Sequence, residues 1–250
     1  MTLVRADVVD GIGRIHLDDP ARRNAISHDT AREIVSSVDA AMAAGARAIV
    51  LTAEPPVFCS GGVLEDLIEP KAPLSDIYRA FTTLADAPVP TICVVAAPAI
   101  GAGVNLPLVC DVVVAGRSAK FDPRFLDVGI HPGGGHLWRL LHRVGYQGAA
   151  ALSLCGDALT GEEAVVAGLA WRCVDDDDAL PLAMRFATRV ASRDVELVAR
   201  AKRTLVEATR LTDPHEAVAH EGEAQQWSMN RPGFADAVRR VQQQLAARKP

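Results

Sequence analysis

The first readable pattern in the chain is an alternation. In "DVVDGIGRIHLDD", Asp7 to Asp19, apolar and polar residues take turns on either side of Asp10-Gly11, the pattern of a β-hairpin. "ARRNAIS" follows as a polar loop. The period then lengthens. Ile34, Val38 and Met42 share one face of a helix predicted over Asp29 to Ala44, with Ser27 as its N-cap and Gly45 as its stop. "ARAIVLTA" reads as a short buried strand, and "EPPVFCSGGVLEDL" as a loop running into a helix. A helix near Ile77 to Leu84 is closed by "APVP". A strand over Thr91 to Ala96 then enters a Gly-rich turn, a short helix to Leu108 and a strand over Val112 to Ala115.

The second half continues in the same way. "SAKF" reads as a short strand, and "DVGIHPGGGHLWRLL" as a Gly-rich loop feeding a helix. Thr160 and Glu163 form a capping box, Gly168 stops that helix, and "AWRCVD" is a strand. From Leu180 the pattern is helical, with breaks near Asp194 and Pro214. Strand, loop and helix repeat and then give way to helices alone. This predicts an α/β core over residues 1–190 and a helical region over 191–250. The acidic run "VDDDDAL" fits a solvated turn at a helix start.

Bulk properties narrow the partners. The 250 residues are 49% hydrophobic and 23% charged, ordinary for a globular protein, with a net charge of −5. That balance offers no broad attraction to nucleic acid or an anionic membrane. "MTLVRADVVD" has no long apolar segment, and no run reaches the length of a membrane span. The five cysteines are scattered without CxxC spacing. Free thiols in a cytoplasmic protein are expected, with Cys59 structural rather than nucleophilic.

Chemistry concentrates in two Gly-rich turns, "FCSGGVL" and "IGAGVN", each after a short apolar strand. Glycines at such places permit tight turns. Two turns aimed into one cleft can also present backbone N–H groups to a developing oxyanion, each worth about 3 kcal/mol in a transition state. "IGAGVN" does not match GxGxxG, so no nicotinamide cofactor is indicated. His131 and His136 lack zinc-motif spacing, and no metal is expected.

These turns, with "DDPARRNAIS" upstream and "AKFDPRFLDVGIHPGGGHLWRL" and "LCGDALTGEEAVVAGLAWRCV" downstream, resemble the crotonase superfamily of enoyl-CoA hydratases and isomerases. The resemblance spans nearly the whole chain. It implies a spiral of ββα units, a C-terminal helical trimerisation region, and a homotrimer or dimer of trimers. It also implies an acyl-CoA ligand, with coenzyme A as part of the substrate and no separate cofactor. Gly62 and Ala102 would supply the oxyanion N–H groups. Arg23, Ala25, Ser60 and Gly61 would lie along the CoA, Arg23 near phosphate. Ala102 departs from the usual Gly and keeps its donor if its φ is negative. Val63 replaces a usual Asp.

The resemblance also exposes two departures at the reacting centre. The family's hydratases carry two glutamates, and the matching positions hold Asn105 and Phe125, neither of which titrates. A positioned acid or base is typically worth about 10²–10⁴-fold in rate. Asn105 can hydrogen-bond a ligand or a water. Asp127 and His131 are the nearby titratable candidates. Asp127 is subject to the alternation that turns neighbouring side chains of an extended segment to opposite faces. His136 is expected to cap a helix or face solvent, and Trp138 to pack its helix. Two functions stay open: a hydratase/isomerase-like enzyme that does not use the two-glutamate mechanism, and an acyl-CoA-binding protein of lipid metabolism without turnover.

Overall fold

The computed structural model describes residues 2–247. In chain order, β1 (Val4–Val9) and β2 (Ile12–Leu17) form the hairpin, and α1 spans His28–Ala43. Next come β3 (Ala48–Ala53), α2 (Leu64–Ile68), α3 (Leu74–Asp86), β4 (Thr91–Val95) and β5 (Pro98–Ile100). They lead to α4 (Asn105–Val109), β6 (Val112–Gly116), β7 (Lys120–Asp122) and α5 (His136–Leu154). The series continues with β8 (Leu159–Thr160), α6 (Gly161–Ala167), β9 (Arg172–Val174) and α7 (Asp176–Ala191). Three helices follow: α8 (Val195–Ala208), α9 (Pro214–Met229) and α10 (Phe234–Ala247).

The main sheet has the order β1-β2-β3-β4-β6-β9 and is parallel beyond the first hairpin. Both faces are covered at the centre of the sheet, so β3, β4 and β6 are almost wholly apolar, whereas β2 still alternates, with Arg14 exposed and His16 part-buried. One set of alternate residues, including Ile15, Leu17, Ile49, Leu51, Cys93 and Val95, joins α1 and α3 in the larger core. The other set, Ile12, Val50, Ile92, Val94 and Val114, packs against Ala179, Ala183, Ala187 and Ala191 of α7. Four alanines at i, i+4 spacing line one face of a helix and allow it to approach the sheet closely. Each fully buried Ile, Leu or Phe contributes roughly 1.5–3 kcal/mol of transfer free energy.

A smaller sheet, β5-β7-β8, pairs the segment after β4 with the segment before α5. Sequence periodicity does not reveal β5 or β8, because two or three residues are too few for a period. The apolar run from Thr91 changes sheet between Val95 and Pro98. Two helix boundaries also differ from expectation. α7 begins at Asp176 instead of Leu180, with Asp175 as N-cap and Asp176, Asp177 and Asp178 in its first turn. Acidic side chains are favourable there against the positive end of the helix dipole, so the run belongs to the helix. α5 is interrupted at Gly145, whose φ of 70° and ψ of 178° leave the helical region.

The chain divides into two compact units, Met1–Arg193 and Asp194–Pro250. Asp194 caps α8 through its carboxylate, which accepts from Leu197 N–H at 2.9 Å. Within the second unit α8, α9 and α10 bury no residue fully. The guanidinium groups of Arg200 and Arg231 both lie over the Trp227 ring, 5.6 and 4.8 Å from its centre. No helix among the described residues is long and apolar enough to cross a membrane.

Candidate active site

The two Gly-rich turns lie side by side. Cys59 pairs with Ala99 and Ile26 with Gly62 in isolated parallel bridges. In the first, Ile100 N–H donates to the Cys59 carbonyl at 2.8 Å. In the second, Ile26 N–H donates to the Gly61 carbonyl at 2.7 Å, and Val63 N–H donates to the Ile26 carbonyl. The bridge therefore engages the groups on either side of Gly62 and leaves its own N–H on the opposite face. Neither Gly62 N–H nor Ala102 N–H donates to a backbone carbonyl among these loop bonds. Ala102 stands in the first turn of a short 3-10 helix, Gly101–Val104, where N–H groups have no intrahelical acceptor. Its φ is not positive, so the methyl group does not disturb the donor.

Glycine is needed where the turns touch. Gly61 has φ +99°, and a Cβ there would come within 2.9 Å of the Ile100 carbonyl and 3.4 Å of Ala102 N. At Gly103 a Cβ would run into the Cys59 carbonyl oxygen and meet Cβ and Sγ of the same residue at 2.9 Å. Cys59 is thus a packing residue, fully buried, its thiol pushed up to about 12 by burial. Cys93 is buried too, and its thiol is also pushed up, chiefly by burial.

The upstream loop docks onto the first turn. Arg23 and Asn24 both have positive φ, and Ser60 N–H donates to the Arg23 carbonyl at 3.0 Å. The buried Asn24 amide donates to the Glu54 and Val57 carbonyls, each at 2.7 Å. Arg22 is held by Asp19 at 2.7 Å. Arg23 is exposed and makes no ion pair among the described residues, which leaves its charge available. Ala25 lies on this upstream loop, and Ser60 and the buried Gly61 on the first turn to which it is hydrogen-bonded. Val63 is the N-cap of α2 and makes no side-chain cap, as an apolar residue must.

Asn105 starts α4, one turn beyond Ala102, and its N–H donates to the Ala102 carbonyl. The side chain is 1% exposed. Its Nδ2 donates to the Gly133 carbonyl at 3.1 Å, and its Oδ1 lies 2.8 Å from His136 Nδ1. Gly134 (φ +71°) packs over this amide; a Cβ there would lie 3.1 Å from Nδ2 and 2.9 Å from the Phe81 ring.

His136 opens α5 and is 1% exposed, so it is neither a cap nor a surface residue. Phe125 lies edge-on to its ring at 4.9 Å between centres. Burial pulls the imidazole down to about 4, and it is neutral near pH 7. Its Nε2 is buried without a hydrogen-bond partner among the described residues. The signal for this placement is the "HPGGGH" spacing. Three consecutive glycines carry the chain so close to α4 that the following residue is forced inward.

The other two candidates lie elsewhere. Asp127 sits in a 3-10 turn, Leu126–Val128, and is exposed; the segment is not extended, so strand alternation does not apply. His131 is exposed, with Nδ1 2.8 Å from the Pro132 carbonyl. Trp138 is 56% exposed and lies against the His142 ring. A His16–Asp18–Glu54 cluster has donor atoms within 4.8 Å of one another, and Arg5 pairs with both carboxylates.

The enoyl-CoA hydratase/isomerase family profile matches residues 7–231. A probable enoyl-CoA hydratase of Mycobacterium tuberculosis is 35% identical over 198 residues, 76% of this chain and 77% of that protein. The chain belongs to the enoyl-CoA hydratase/isomerase family. The 2,3-dehydroadipyl-CoA hydratase of Escherichia coli is 32% identical over 193 residues, covering 76% of each chain. A crystal structure of an enoyl-CoA hydratase from Polaromonas superposes with a TM-score of 0.88 at 26% identity, covering 99% of this chain and 98% of that one. An enoyl-CoA hydratase from Bacillus anthracis shares the fold, with a TM-score of 0.90 at 22% identity over 97% and 96% of the two chains. The fold is that of the crotonase superfamily. Around His136 this chain packs an amide and a phenyl ring, Asn105 and Phe125.

Proposed function

We propose that this protein binds acyl-CoA thioesters and polarises the thioester carbonyl between Gly62 N–H and Ala102 N–H. The observation that carries this reading is the pair of adjoining turns whose amides are not engaged by the loop bonds around them. Relatives named as CoA-ester hydratases and as 1,2-epoxyphenylacetyl-CoA isomerase support the ligand class. Arg23, exposed beside Ser60 and Gly61, would meet a CoA phosphate, a task suited to guanidinium.

Two N–H donors stabilise an enolate-like oxyanion whichever proton is moved, so the same site serves hydration or isomerisation. With Asn105 and Phe125 at the positions of the family's glutamates, the two-carboxylate route is closed to this chain. Crotonyl-CoA hydration is therefore expected to fall far below the 10–10³ s⁻¹ that is roughly usual for good enzymes. The second reading, an acyl-CoA carrier without turnover, is favoured by the exposure of Asp127 and His131.

The assembly we propose is a trimer or dimer of trimers. Val218 (71% exposed), Val241 (53%) and the exposed Val238 and Phe234 leave apolar surface uncovered on α9 and α10. A cytoplasmic location accords with five unpaired cysteines.

Calorimetry with butyryl-CoA tests the site. Ala102→Pro and Gly62→Pro each remove one donor N–H, with circular dichroism as the check on folding. Weaker binding in both supports the oxyanion site. Wild-type affinity in both folded variants, or no binding by the wild type, rejects it.

A further inference from the structure

The Asn105–His136 contact decides which polar atom is left for a ligand, because it fixes both groups chemically. The Gly133 carbonyl accepts only, so the Asn105 atom facing it must be the NH2 group, and Oδ1 must face the histidine. Oδ1 also accepts only. His136 Nδ1 therefore carries the ring proton and donates at 2.8 Å, and Nε2 of the neutral ring is a bare lone pair.

The surroundings offer that lone pair no proton. Phe125 presents a ring edge, and the Asn105 amide is engaged at both ends. Arg139, three residues along α5, donates to the Gly134 carbonyl at 2.7 Å. Nε2 is buried and has no partner among the described residues. A buried acceptor without a donor is costly, and a ligand that brings the donor removes that cost.

Resting on the acyl-CoA reading above, we propose that His136 is a specificity-determining residue whose Nε2 accepts a hydrogen bond from a hydroxyl group on the acyl chain. Its neighbour Asn105 is the positioning residue that sets the tautomer. Asn105 stands one turn from Ala102 and is hydrogen-bonded to His136, which sets the ring on the side of the turn where the thioester would lie; Nε2 is closed to solvent, so a hydroxyl reaches it by displacing the packing over the ring. A saturated, unsubstituted chain would leave Nε2 without a donor. A hydroxylated one would satisfy it, and the position of the hydroxyl along the chain would set the register.

The test compares butyryl-CoA with 2-, 3- and 4-hydroxybutyryl-CoA by calorimetry on the full chain. One hydroxylated isomer is expected to bind about tenfold more tightly than butyryl-CoA. In His136→Leu that ratio should collapse to about one. His136→Gln, which keeps a side-chain acceptor, should restore part of it. Imidazole ¹⁵N spectra of the unaltered protein supply a readout that does not depend on folding of a variant. Nε2 should resonate as an unprotonated nitrogen and shift with the preferred isomer but not with butyryl-CoA. Butyryl-CoA binding with no preference for any isomer, a preference that survives in a folded His136→Leu, or a protonated Nε2 overturns the inference alone. Failure of all four ligands to bind overturns the acyl-CoA reading and the inference with it.

Discussion

Replacing His136 by glutamine should make the protein less sensitive to mild acid. The imidazole is 1% exposed, and burial lowers it from 6.5 to about 4. The unfolded chain takes up this proton first as pH falls, so the native state loses stability below pH 6.5 and the loss levels off below about 4. The full difference, 2.5 units, corresponds to about 3 kcal/mol. Between pH 7.5 and pH 5 the expected loss is about 2 kcal/mol. The groups that face the ring do not offset this. Phe125 and Asn105 are uncharged, and Arg139 on the same helix is a second cation. Urea unfolding at fixed protein concentration, from pH 7.5 to pH 4, measures the effect in wild type and His136→Gln. Other titrating groups contribute to both proteins and cancel in the difference. The wild type should lose about 2 kcal/mol more than the variant by pH 5. Parallel curves would show that the ring is solvated and would undo the account of a dry, neutral imidazole.

Gly103→Ala should destabilise by at least about 1–3 kcal/mol, because its Cβ would run into the Cys59 carbonyl oxygen and stand 2.9 Å from Cβ and Sγ of Cys59; an unchanged urea midpoint would contradict the close packing of the turns. In native protein at pH 8, iodoacetamide should label the exposed Cys155 and spare Cys59, whose thiol is pushed up to about 12; mass spectrometry showing early modification of Cys59 would refute its packing role. Thr160→Ala removes the N-cap of α6, where Thr160 Oγ1 accepts from Glu163 N–H at 3.3 Å, and should cost about 1 kcal/mol; a thermal midpoint within error of wild type would mean the capping box contributes nothing.

The order of elements is legible in the sequence because it is written in local signals. The Asp10-Gly11 turn, the Ser27 cap, the Thr160–Glu163 box and the Gly168 stop all stand where the residues predict. Each depends on a few neighbouring residues and survives whatever the rest of the chain does. What is not legible depends on pairing. β5 exists because Ala99 finds Phe121 and Cys59, residues distant in sequence. The start of α7 is hidden because four consecutive aspartates resemble a solvated turn. Only the dipole of the helix they begin makes them favourable there.

The site shows the same division, with more at stake. Glycine-rich turns announce themselves by residue type and spacing, whereas the choice of Gly62 and Ala102 within them comes from the family resemblance. The family resemblance also implies a missing carboxylate, which directs attention to nearby titratable residues such as Asp127 and His131. Both prove to be exposed. Position in sequence selects them, whereas proximity in space depends on how "PGGG" folds. Gly133 lends its carbonyl to Asn105, and Gly134 adopts φ +71° against Phe81 and Asn105. That close approach carries His136 under Asn105 and Phe125, the positions at which the family resemblance implies two glutamates. Carboxylates there would offer acceptors and protons of their own. An amide and a phenyl ring offer neither, and the histidine they enclose has one nitrogen tied down and one left over. The amide, the phenyl ring and the inward turn of His136 are therefore parts of one packing arrangement, which holds a single neutral acceptor.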